Sequence, residues 1–83
     1  MDIIKEIANK YLDIESRYDG GKSYKWEEAY AELWTLENKA HGLQRRVRTS
    51  EGRLLARLLC EEITNERKRI SAIIIKQDIK EWF

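Results

Sequence analysis

Histidine occurs once, at His41, and cysteine once, at Cys60. A Cys-His or Ser-His couple would need His41 within hydrogen-bond reach of Cys60 or of a serine across the fold. No nucleophile motif surrounds either residue. Beside Gly42, His41 reads instead as the end of a helix, where its charged form suits the negative end of the dipole. "GGKS" at Gly20–Ser23 has the tail of a phosphate-binding loop, but the leading glycine of that pattern would fall on Ser16. It also follows a predicted helix rather than a buried strand, so it reads as a turn. Glu61, Glu62 and Glu66 cluster, yet the Glu-x-x-His pairs of a helical di-metal site are missing. Glu62 and Glu66 are expected to pair with arginines on a neighbouring helix or to set the register of a dimer, and Glu61 to pair with Arg57 one turn before it. A lone cysteine makes neither an intrachain disulfide nor a Cys-based zinc site. No metal, cofactor or catalytic group is therefore predicted.

Two groups remain that could bind rather than react. Trp26, Tyr30 and Trp34 recur every four residues. A base-stacking platform interleaves its aromatics with cations, whereas here the spaces hold Glu27, Glu28 and Glu32. Core packing is the first reading of this row and a protein-binding surface the second. The segment "LQRRVRTSEGRLLAR" carries five arginines, Arg45, Arg46, Arg48, Arg53 and Arg57. Their plain role is a solvated helix junction, with Arg67 and Lys68 on roughly the same side as Arg53 and Arg57. Their functional role would be a contact for phosphates or an acidic protein, on the precedent of a helix-turn-helix. A turn from about Gly42 to Ser50 is too long for that motif.

The elements that must position these groups read as helices throughout. The 83 residues contain no proline and four glycines, and are rich in Glu, Lys, Arg, Leu, Ile and Ala. A first helix is expected over about 2–18, capped by Asp2, with Ile4, Ile7, Tyr11, Ile14 and Tyr18 in one stripe and Leu12 beside it. A second is expected over about 24–41 from an N-cap at Ser23, with Ala29, Leu33, Leu36 and Ala40 facing inward. Leu43 and Val47 would continue that stripe, so the break falls between Gly42 and Ser50, with Val47 anchoring the connection. Thr49 or Ser50 followed by Glu51 starts a third helix over about 50–83.

On that third helix Leu54, Leu55, Leu58, Leu59, Ile63, Ile70, Ile73 and Ile74 are expected on one broad inward face. Ile75, Ile79 and Trp82 fall nearly opposite. A straight helix of this length would span about 50 Å, against a radius of gyration of ~12 Å for a compact chain of this size. It therefore either bends near 65–69 or projects to meet another chain.

Composition limits function more than it names it. A net charge of +1 with 37% charged residues demands no polyanionic partner. No stretch approaches the ~20 apolar residues of a membrane span, and a single unpaired thiol suits a cytoplasmic protein. A chain this short buries only ~60–65% of its unfolded surface, so a second copy is expected to complete the core.

The sequence thus predicts a single all-α domain, a helical hairpin or three-helix bundle with a long C-terminal helix, completed by self-association. Its expected function is that of a non-enzymatic regulator or inhibitor that binds a larger protein as a homodimer. The expected contacts are Trp26, Tyr30, Trp34, Ile75, Ile79, Trp82 and Phe83. The alternative is a nucleic-acid-binding regulator using the basic segment 45–57.

Overall fold

Three apolar stripes at helical spacing need one another as cover, and the computed structural model shows three helices in up-down-up order. It describes the backbone of residues 3–20 and 26–82, and the side chains of these except at 18–20, 78 and 80–82. The helices are α1 (Ile3–Gly20), α2 (Trp26–Arg46) and α3 (Ser50–Trp82). The expected caps at Asp2 and Ser23, the "GKS" turn and Phe83 lie outside the described residues.

Ile7, Tyr11 and Ile14 of α1 are buried, with Ile4 packed beside them, as the first stripe predicts. Ala29, Leu33, Leu36, Ala40 and Leu43 of α2 are buried too, and Val47 packs against the same core. Helix α2 is the centre of the bundle: it packs along both neighbours, whereas α1 touches α3 over a short stretch.

Helix α2 runs five residues beyond the predicted end. Gly42 does not cap it, because its stripe continues through Leu43 and its backbone never turns left-handed. The dipole-facing cations of the last turn are Arg45 and Arg46, and His41 is exposed within the helix. The connection to α3 is short. Val47 N–H still donates to Leu43 at 3.2 Å. Thr49 then caps α3, its Oγ1 accepting from the Gly52 N–H at 3.0 Å. The Arg53 guanidinium donates to the Val47 carbonyl at 3.0 Å and ties the turn from the far side. Gly52 is required here by space: a Cβ would press on Val47 Cγ1 and lie 2.7 Å from Thr49 Oγ1.

Helix α3 is continuous. Its 33 residues at ~1.5 Å each make a rod of ~50 Å, matching the 51 Å long axis of the molecule. The radius of gyration, 14.5 Å, exceeds the ~12 Å of a compact chain for the same reason. The expected bend at 65–69 is absent, and the helix runs the full length of the molecule.

The face α3 turns inward differs from the expectation. Ala56, Cys60, Ile63 and Ile70 are buried, with Leu59 and Ile74 packed beside them. Leu54, Leu55 and Leu58 are about half exposed. Small residues decide the matter. Ala56 and Cys60 on α3, and Ala29 and Ala40 on α2, let two helices approach closely where leucine would hold them apart.

Candidate protein-interaction site

The three aromatics of α2 part company. Trp26 and Tyr30 pack against the core, while Trp34 stands 54% exposed. The difference follows from helix geometry, since steps of four advance by ~400° and carry each residue ~40° further round. By the third member the row has rotated out of the interface into solvent. Ile75 and Ile79 on α3 are likewise half exposed. The backbone carries Trp82 one turn further along, and its side chain is not described.

The five arginines of the junction are all exposed. Arg53 is committed to the Val47 carbonyl, and Arg57 lies 3.9 Å from Glu61 on its own helix. The turn is shorter than predicted, so its length no longer excludes a helix-turn-helix. Orientation does. That motif crosses its helices at ~90–120°, whereas α2 and α3 lie side by side, with Val47 against Gly52 at one end and Tyr30 against Arg67 further along.

A charged pair inside the bundle went unpredicted. Glu37 is the one buried carboxylate among the described residues, 6% exposed on the α2 face that meets α3. It accepts from Arg67 Nε at 2.7 Å and from the Thr64 hydroxyl. Arg67 also reaches the Tyr30 hydroxyl at 3.5 Å and lies over its ring, 5.8 Å from the centroid. Burial alone would raise the Glu37 carboxyl. The Thr64 and Arg67 hydrogen bonds, with the charges of Arg67 and His41, outweigh it and hold the group below its usual range. Arg67 therefore belongs to the interior and not to the solvated back of α3. The signal was present in the spacing: Glu37 sits four residues after Leu33, and Arg67 midway between Ile63 and Ile70.

Among the described residues, Glu62 and Glu66 do not pair with arginines of a neighbouring helix. Glu62 accepts from the Tyr11 hydroxyl at 3.0 Å, which joins α1 to α3, and Glu66 pairs with Arg69 one turn on. Burial first, then the hydrogen bond to Glu62 and the charges of Glu62, Glu66 and Glu15, push Tyr11 far above the usual phenol range. Cys60 is buried, and that burial together with the Glu37 charge raises its thiol. A raised thiol holds little of the thiolate that nucleophilic chemistry uses.

No family model, curated protein or solved structure matches the chain. Its own surface must carry the reading. An open groove of about 480 Å³ lies between α1 and α2, lined by Lys10, Asp13, Arg17, Glu32 and Lys39 among others. Arg17 bridges it to Glu32 at 3.0 Å and also lies 3.3 Å from Asp13. A second groove of about 480 Å³ runs between α2 and α3 past His41, Cys60, Thr64 and Lys68. Among the described residues no helix is long and apolar enough to cross a membrane. No group of His, Cys, Asp and Glu there is placed to hold a metal ion. What the surface does offer is apolar: Trp34 on α2 and a row of leucines and isoleucines along α3.

Proposed function

We propose that this protein is a small non-enzymatic helical regulator or inhibitor, acting as a homodimer that binds a larger protein. The observation that carries the reading is Trp34, a large aromatic left 54% exposed on a helix whose other aromatics are packed away. An exposed tryptophan is the kind of residue that anchors a protein interface, where burying its rings contributes a large share of the binding free energy. The rigid pair of α2 and α3, fixed internally by Glu37 and Arg67, presents that anchor on a preorganised surface.

The test is capture of a stoichiometric partner from the source lysate on immobilised protein. Trp34→Ala should abolish the capture while circular dichroism shows unchanged helicity. Equal capture by both proteins would refute the reading.

The second reading is a nucleic-acid contact through Arg45, Arg46, Arg48, Arg53 and Arg57, favoured by their joint exposure around one turn. It predicts affinity falling steeply with salt and lost in Arg45→Ala/Arg46→Ala. Absence of a mobility shift at low salt removes it.

A further inference from the structure

Helix α3 carries two rows of residues with the same spacing. The inner row, Ala56, Cys60, Ile63, Arg67, Ile70 and Ile74, alternates steps of four and three and meets the rest of the bundle. Away from that contact a second row keeps the same alternation, Leu54, Leu58, Glu61, Asn65, Lys68, Ala72, Ile75, Ile79, with Glu61, Asn65 and Lys68 bordering the groove beside α2. Every member of it is exposed. Spacing of this kind is the seam of a coiled coil, and it is sustained here over 26 of the 33 residues of the helix.

The order of residues in the outer row says what covers it. Its ends are apolar and its middle is polar. Two copies set antiparallel, with Leu54 level with the partner's Ile79, bring Leu58 level with the partner's Ile75. Glu61 then meets the partner's Ala72, and Asn65 the partner's Lys68. Each layer joins the first position of the alternation to the second, as antiparallel seams require, and no layer opposes like charges. Parallel pairing in register would instead stack Glu61 on Glu61 and Lys68 on Lys68. The row is complementary to itself in one direction only.

We propose that the outer face of α3 is the interface of a two-fold symmetric dimer in which the two α3 helices run antiparallel. Its apolar layers are Leu54 with the partner's Ile79 and Leu58 with the partner's Ile75. The polar layers at the axis set the register, as buried Asn and Lys do in other coiled coils at some cost in affinity. The α1–α2 hairpins lie outermost, so Trp34 is not part of the apolar seam. The inference deepens the homodimer part of the proposed function, and its test is independent of any larger partner.

Light scattering of the full chain across a concentration series should give twice the 9.9 kDa chain mass. Leu58→Lys counts twice by symmetry and should return the monomer mass with helicity retained. Leu12→Lys, at an equally exposed leucine on α1, should leave the dimer intact. Orientation is read by cross-linking in oxidised glutathione. Leu58→Cys alone should form no disulfide dimer, because the two positions lie ~25 Å apart along the axis. Mixing it with Ile75→Cys should give a covalent heterodimer. A monomer at every concentration, a dimer that survives Leu58→Lys, or efficient self-cross-linking of Leu58→Cys each overturns the proposal. Capture through Trp34 would stand or fall separately.

Discussion

The two faces of α3 obey the same spacing and meet opposite surroundings. On the inner face the contacts are small or branched: Ala56, Cys60, Ile63 and Ile70 are 3% exposed or less. On the outer face Leu54, Leu58, Ile75 and Ile79 stand half in water. Hydrophobicity alone would assign them the other way round, since the outer face holds the larger residues near the start of the helix. What separates them is how near the neighbour comes. Close contact with α2 selects alanine and cysteine, while leucine is left where no helix of the same chain arrives.

Truncation should expose this contrast most sharply. Ile63 is fully buried, so Ile63→Ala removes apolar contacts and leaves a cavity at a cost of about 3–4 kcal/mol. Leu58→Ala, compared at concentrations where the chain is monomeric, should cost under ~1 kcal/mol, as is usual for exposed positions. Urea midpoints at fixed protein concentration measure both. Equal losses would mean that the outer row is as packed as the inner one, and the distinction would collapse.

The charged members of the two rows should differ in the same sense. Glu37→Ala strands Arg67, whose side chain is only 20% exposed, and should cost about 2–3 kcal/mol, below the 3–5 of a fully buried pair. Glu61→Ala on the outer face removes a 3.9 Å pair between two exposed side chains and should be close to neutral. The inner pair also predicts an acid limb. Because the folded state holds Glu37 below its usual range, its contribution is fully present above the ordinary carboxylate pKa of ~4.3. It is lost as pH falls through the lower folded value. Glu37→Gln should flatten the difference in stability between pH 6 and pH 3, and an unchanged pH profile would contradict this account.

Much of the bundle was legible in the sequence, and what was not shares a cause. The stripes of α1 and α2, the anchor at Val47 and the cap at Thr49 follow from spacing and local hydrogen-bonding chemistry. So does the exposure of the junction arginines. The inward face of α3 was misjudged because a run such as "RLLARLL" advertises its leucines, while the contact surface is made by the alanine and cysteine between them. The sequence alone suggests no role for Glu37 and places Arg67 on the solvated back, because a charge within an apolar row reads as a flank until its partner on another helix is known. Trp34 was singled out with Trp26 and Tyr30, and only the rotation of the row relative to α1 and α3 tells which of the three faces solvent.

Glycine gives the same contrast in its smallest form. Gly52 lies inside the α2–α3 turn, where a Cβ would press on Val47 Cγ1, a branched side chain with little freedom to move. Gly52→Ala should therefore lose about 1–2 kcal/mol net, overpacking outweighing the helix propensity that alanine brings. Gly42 is exposed at the edge of a groove between α1 and α2, with nothing within 4 Å of its notional Cβ. Its backbone is helical, so alanine fits there without strain. Gly42→Ala should gain about 0.5–1 kcal/mol by restricting the unfolded chain. Thermal melts of the two variants should shift in opposite directions. A destabilised Gly42→Ala would show that the groove between α1 and α2 is filled at this point.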